Sequence, residues 1–378
     1  MTMVDGSNID ILFFDLLRVS IGTQEKLTVP PSDVEWEMLL EQAVKQSLSG
    51  IMLEGVNRLK NGNLNDNFYI PKLLLLEWIG QQQLTIQLNK LQNQRIKDLC
   101  AQFEKAGFRG CVLKGQGTAL YFDRPEIRQS GDIDIWVARG GKWDAAKSRD
   151  DILTFARNNG YHIGHIDIKH SDIDFFEEIP VEVHFLPSWM YSPATNKKLQ
   201  HFFEVQAERQ FENYDAAVGY THTTIDFDLV FSIVHIYRHV FSEGIGLRQL
   251  MDYYYILTRS TKEQRAQAFD VLVSLKMSLF VGGVMWILKK CFGMEEIYLL
   301  CPVNKRHGKY LLSEIMTAGN FGQYDDRMMQ IDKKKKFRRG IVQLKRNLRF
   351  VSYYPSEVLW SPFWKLWHWG WRKWNGYF

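Results

Sequence analysis

The sequence predicts an α+β fold, a small mixed β-sheet set between largely helical N- and C-terminal regions. Three observations carry this. Short apolar or alternating runs bounded by turn residues cluster between Cys111 and Phe185, where they read as strands. Before and after them, apolar residues recur at the three- and four-residue spacing of helices. At 378 residues the chain can also bury a substantial core in more than one lobe. We expect a helical N-terminal region over 1–80, a sheet-bearing core over 81–190, a helical domain over 191–330 and a basic, Trp-rich tail over 331–378.

Residues 8–18 suit a short amphipathic helix, and Ser32 with Glu35 three residues on reads as the capped start of a second, running to about residue 48. Residues 51–59 read as a third helix, closed by the polar cluster 60–63. Residues 73–106 read as one long helix or two, with Gly107 as the stop. Its stripe of Leu84, Leu88, Leu91, Leu99 and Phe103, with Ile96 beside it, is expected to face the core.

The most informative stretch is 111–137. An apolar run, Cys111-Val112-Leu113, breaks at Lys114-Gly115-Gln116-Gly117, where glycine lets the backbone turn tightly and approach a ligand. Thr118 is then a plausible cap for a short helix. After a link containing Pro125 and Arg128, Asp132-Ile133-Asp134-Ile135-Trp136-Val137 alternates with period two, which sets Asp132 and Asp134 on one face of a strand. Two carboxylates side by side repel each other, so the pair asks for a cation between them. Mg²⁺ suits it, because it prefers oxygen ligands and is commonly held by one or two carboxylates together with substrate phosphates. Backbone amides of the 114–118 turn, opening a helix, would hold those phosphates.

This order of parts resembles the polymerase-β-like nucleotidyltransferase superfamily, and within it the bacterial branch of uncharacterised nucleotidyltransferases. The residues that carry the resemblance are Leu113-Lys114-Gly115, Arg128, Asp132-Ile133-Asp134 and the later Glu182-Val183-His184. It implies a nucleotidyltransferase core in which Glu182 joins Asp132 and Asp134 as catalytic metal ligands for Mg²⁺. Lys114, Gly115, Gly117, Thr118 and Arg128 would bind the nucleotide. The expected reaction moves NMP from an NTP to a hydroxyl acceptor, which the sequence does not identify, and releases pyrophosphate. The turn departs from the family's Gly-Gly or Gly-Ser, reading Gly115-Gln116-Gly117-Thr118. The rival reading is a non-catalytic nucleotide-binding or interaction protein that retains the fold, attached to a membrane or assembly by its tail.

Residues 143–158 read as a helix, 161–168 and 171–176 as strands, and 181–185 as the strand that sets Glu182 and His184 on one face. Beyond Pro187 the pattern is mostly helical. His235 and His239 lie four apart on one helix face, as zinc ligands would, but the Glu of a His-Glu-x-x-His site is missing, and structural histidines are the plainer reading. Arg248 and Asp252 recur in the family it resembles without an assignable role.

The formal charge of +4 does not point to nucleic acid, and four cysteines without paired spacing fit free thiols in a reducing cytoplasm. Asp5 and Asp10 stand where a signal peptide would be basic, and no apolar run is long enough to span a bilayer. The tail is different. Residues 333–349 hold nine basic residues and no acidic one, and Trp360, Trp364, Trp367, Trp371 and Trp374 follow at helical spacing. That stripe could dock on the protein itself, lie in the inner membrane interface or another partner's surface, or interleave with nucleic acid; docking is the plainest of these.

Overall fold

In the computed structural model, which describes residues 8–61, 69–242, 244–320 and 349–377, five strands form one mixed sheet. They are β1 (Phe108–Val112), β2 (Ile133–Arg139), β3 (Ile163–Ile166), β4 (His170–Ile173) and β5 (Val181–His184), in the spatial order β1-β2-β5-β4-β3. Only β2 and β5 run parallel. A parallel neighbour needs a long crossover, and here it is supplied by a helix (Ala145–Asn158) and the β3–β4 hairpin.

Strand alternation divides the sheet into two faces. Ile133, Ile135, Val137, Val181 and Val183 point to one side, into a core shared with Ile96, Leu99 and Phe103 of the long helix and Ile152, Leu153 and Ala156 of the crossover helix. Asp134, Trp136, Glu182 and His184 point to the other. There Trp136 packs on Phe211 and Phe227 of the helical lobe, with ring centroids 4.8 and 5.8 Å away. One face is a dry core, and the other is a site roofed by helices.

The helices are α1 (Asn8–Ile21), α2 (Asp33–Lys45), α3 (Ser49–Asn61), α4 (Lys72–Lys105), α5 (Gln116–Ala119), α6 (Ala145–Asn158), α7 (Pro193–Phe211), α8 (Ile225–Ser242), α9 (Leu247–Arg259), α10 (Lys262–Ser274), α11 (Ser278–Phe292), α12 (Lys305–Ala318) and α13 (Pro355–Trp374). The α1–α3 helices and the α7–α12 helices share one continuous hydrophobic cluster. Ser32 and Glu35 form the expected reciprocal cap of α2, but the helix ends at Lys45 because Ser47 takes a left-handed conformation, φ 56°. A two-stranded ribbon, Tyr214–Asp215 with Tyr220–Thr221, was not expected; two residues are too few to show a period.

The long helix α4 corrects the sequence reading. It is one helix, but Leu84 and Leu88 are exposed. Its buried stripe is Trp78, Gln82, Asn89, Gln92, Ile96, Leu99 and Phe103, also at helical spacing but polar in the middle. The reason is what lies opposite. The Gln82 amide donates to the Gly50 carbonyl (2.7 Å), Asn89 to the carbonyls of Glu126 (2.7 Å) and Arg128 (2.8 Å), and Gln92 to that of Asp132 (2.7 Å). A buried loop must have its carbonyls paired, so this stretch of the helix presents amides where leucines would have left them unsatisfied.

Asp228 on α8 is buried, and it accepts hydrogen bonds from Thr223 Oγ1 (2.6 Å) and Tyr121 Oη (2.8 Å). Burial outweighs both bonds and pushes its carboxyl up to about 7 from 3.8. A raised folded value means that the proton favours the fold. This contribution is complete below about pH 4 and is lost as pH climbs through 7. We predict that Asp228→Asn removes this loss: relative to wild type the variant should gain on the order of 2–4 kcal/mol between pH 4 and pH 8, read as the pH dependence of the urea midpoint.

Candidate active site

Parallel pairing of β2 with β5 sets Asp134 directly beside Glu182, and Asp132 lies one residue before β2 begins. Ligand oxygens of all three carboxylates lie within 4.8 Å of one another. Asp134 is buried, and its Oδ1 meets Lys114 Nζ at 3.0 Å and His184 Nε2 at 2.9 Å. Its Oδ2 is buried with no hydrogen-bond partner. That orphaned oxygen, beside two more carboxylates, fits a hard divalent cation with oxygen ligands.

The cluster is held together by nearby cations. Burial opposes a charge on Lys114, but Asp134, Asp132 and Glu182 hold its ammonium above the ordinary lysine range. Burial likewise opposes ionisation of Glu182, yet the His184 hydrogen bond holds its carboxyl well below the usual range. His184 is raised against burial by Asp134 and Glu182. On the next strand Asp172 pairs in register with Glu182, and burial together with Glu182 raises it. His170 Nδ1 stands 3.8 Å from Glu182, with burial pushing the imidazole down to about 3. His170, Glu182 and His184 thus form a second ligand group within 4.8 Å, sharing Glu182 with the first.

Between β1 and α5 the chain turns at Gly115, φ 63° and ψ −111°, a conformation L side chains rarely adopt. A Cβ there would also sit 3.4 Å from Ser130 Oγ. Gly115 is the N-cap of α5, so Thr118 is not its cap; Thr118 lies inside the helix, buried. Gly117 is explained by packing. A Cβ on it would meet the Val112 carbonyl at 3.3 Å, and its own amide donates to the Lys114 carbonyl at 3.2 Å. Lys114, Gly115, Thr118 and Arg128 line the cleft above Asp132 and Asp134, whereas Gly117 is not among the lining residues.

Arg128 forms a bidentate pair with Asp252 of α9 at 2.6 and 2.7 Å, leaving Nη1 buried and without a partner. Arg248, one turn earlier, donates to the Gln129 carbonyl at 2.7 Å. Burial, and then the nearby Arg128, push Arg248 down to about 10. This gives Arg248 and Asp252 a place that the sequence did not: both line the cleft, beside His235. The ring of His235 lies 4.3 Å from that of His239, and burial holds it well below its ordinary value. Among the described residues neither histidine belongs to a metal-ligand group. Asn89 and Gln92 went unnoticed in the sequence, and Gln116 stood there only as a departure in the turn. Gln116 Nε2 donates to the side-chain oxygens of Asn89 (2.8 Å) and Gln92 (2.7 Å), so α4 grips both the turn and the 126–132 loop. The available signal was the polar interruption of the Trp78–Phe103 stripe.

The cavity among these groups is about 40 Å³, enough for an ion or one to two waters but far below a nucleotide. Acidic oxygens facing lysine and arginine across so small a space are the chemistry of a site for cation-bound phosphate. Residues 32–293 match the family described as uncharacterised nucleotidyltransferase, and the chain belongs to that family. Membership supports a role in nucleotidyl transfer. No curated protein matches the chain.

Removing the Asp252 carboxylate would leave Arg128 buried without a paired counter-charge, with Asp132 and Asp134 acting on it only through space. Asp252→Ala should therefore cost about 3–5 kcal/mol, and Arg128→Met combined with Asp252→Leu should recover most of it. Chemical denaturation of wild type and the two variants measures both changes.

Proposed function

We propose that the protein transfers NMP from an NTP to a hydroxyl-bearing acceptor, releasing pyrophosphate, with Asp132, Asp134 and Glu182 as the ligands of Mg²⁺. The observation that carries this is the convergence of those three carboxylates beside Lys114 and Arg128. A bound Mg²⁺ would supply Lewis-acid stabilisation of phosphate charge and activation of the acceptor hydroxyl. The chain's own residues do the rest. Lys114, Arg248 and the Nη1 of Arg128 hold phosphate oxygens, and charge-assisted hydrogen bonds are about twice as strong as neutral ones. Asp252 fixes the plane of Arg128, while Asn89 and Gln92 fix the loop that carries Asp132. The Gly115 turn keeps Cβ bulk away from the phosphates. Positioning and preorganised charge are the main sources of rate in this chemistry.

With only about 40 Å³ between sheet and roof, the cleft takes the ion and the phosphate oxygens that reach it. The nucleoside lies beyond it, on the side of exposed Gly131. The rival reading, nucleotide binding without turnover, uses the same residues and differs only in whether pyrophosphate appears.

We predict that Asp132→Asn and Asp134→Asn, both near-isosteric, each reduce Mg²⁺-dependent pyrophosphate release by about 10²-fold or more. Chelation of the cation should abolish release. The assay runs each NTP against a panel of hydroxyl acceptors, with circular dichroism as the check on folding. Wild-type rates in both variants would overturn the assignment, and calorimetric binding of Mg²⁺–NTP without release would favour the rival.

A further inference from the structure

Among the described residues, helix α13 meets the rest of the protein through one face. Glu357 accepts from the amides of Tyr191 (2.9 Å) and Ser192 (3.2 Å) and pairs with Arg238 (3.4 Å). Trp364 packs on Tyr191, Trp367 stacks on Trp189 with ring planes 10° apart, and His368 pairs with Asp167 at 3.0 Å. The opposite face is turned outward. Leu359, Phe363 and Leu366, at four-three spacing, are 60, 66 and 68% exposed, and Trp360, Trp367 and Trp374 run beside them at intervals of seven. Where α13 crosses the 189–197 segment it leaves an apolar groove of about 390 Å³. Its walls include Trp189, Met190, Trp360, Phe363, Trp364 and Trp367, and Lys197 stands among them.

We infer that this face docks on an anionic phospholipid bilayer, with the groove taking an acyl chain. Two independent properties select that occupant. The first is charge. The last 46 residues carry twelve Lys and Arg against a single carboxylate, Glu357, which is buried against backbone amides. The whole chain is only +4, so the other 332 residues are net negative, and the net positive charge comes from the sequence leading into and through α13, eight of the twelve cations at 333–348, outside the described residues. Exposed Lys197 and Lys373 belong to that end's surface. The second is the side chains. Indoles prefer the boundary between acyl chains and headgroups, and a groove of this size lies in the range that encloses ligands of lipid-chain dimensions. No helix among the described residues is long and apolar enough to cross a membrane, so α13 lies on the surface. The family match ends at residue 293, so α13 lies outside it while the 189–197 wall of the groove lies within it. The inference is independent of the nucleotidyl-transfer reading.

The test is co-sedimentation of the full-length protein with vesicles of phosphatidylcholine alone and of phosphatidylcholine containing phosphatidylglycerol. Binding is expected only to the anionic vesicles, weakening as salt is raised, with quenching of tryptophan emission by lipids brominated along the acyl chain. The outward-facing triple substitution Leu359→Ser, Phe363→Ser, Leu366→Ser should weaken binding at least tenfold. Lys197→Glu with Lys373→Glu, on exposed positions that leave the core untouched, should weaken it comparably. Leu84→Ser with Leu88→Ser, on the exposed face of α4, should leave it unchanged. Absence of wild-type binding to anionic vesicles overturns the proposal, as does equal binding by wild type and both tail variants. So does loss in the triple variant of a concentration-dependent dimer with no vesicle binding, which would make the face a contact between copies.

Discussion

Mutual repulsion among Asp132, Asp134 and Glu182 is the constraint around which the rest of the core is arranged. Three carboxylates within 4.8 Å, one of them buried, are costly to hold ionised unless positive charge is equally close. Lys114 and His184 both reach the same oxygen of Asp134, one from the turn after β1 and one from the end of β5. The parallel pairing of β2 with β5 puts the acids in register, and the Lys114 ammonium, with an imidazole whose protonation Asp134 and Glu182 favour, allows them to stay there. The charge that stabilises the cluster without an ion is the charge that would face the phosphates of a nucleotide with one.

The roof answers the sheet in the same terms. Arg128 is buried and Arg248 half-buried opposite the acids, and Asp252 is the counter-charge that lets Arg128 be buried. Its bidentate grip fixes the guanidinium plane, whereas a lysine at 128 could be moved by any ligand. On the other side α4 provides amides instead of charge. Asn89 and Gln92 satisfy the carbonyls of the loop that runs from Glu126 to Asp132, and Gln116 locks both amides to the turn. These amide bonds hold the loop in place, because displacing it would leave buried carbonyls unpaired.

The C-terminal helix divides one run of tryptophans between two surroundings. Its tryptophans were open to several readings in the sequence, and the structure divides them: Trp364 docks on the protein and Trp374 faces outward. The basic run at 333–348 that accompanied them in the sequence lies outside the described residues, while Arg349 pairs with Glu314.

What the sequence alone determined here is local. Period-two alternation sets Asp134 and Trp136, or Glu182 and His184, on one face of a strand whatever the strand pairs with, and the glycine at 115 is demanded by a backbone angle. Helix existence followed from spacing in the same way. Which face of a helix is buried did not. Leu84 and Leu88 are the more apolar stripe of α4, yet the tertiary structure buries Gln82, Asn89 and Gln92, because a backbone loop and not a side-chain core lies against them. Thr118 looked like a cap and Gly117 like a ligand-facing glycine for the same reason, since the approach of Val112 and His222 is invisible in one dimension. Arg248 and Asp252 stand about 120 residues from Arg128 in sequence and in contact with its loop in space. Long-range pairing of charges depends on how the lobes fold against each other, and no periodicity within a segment encodes it.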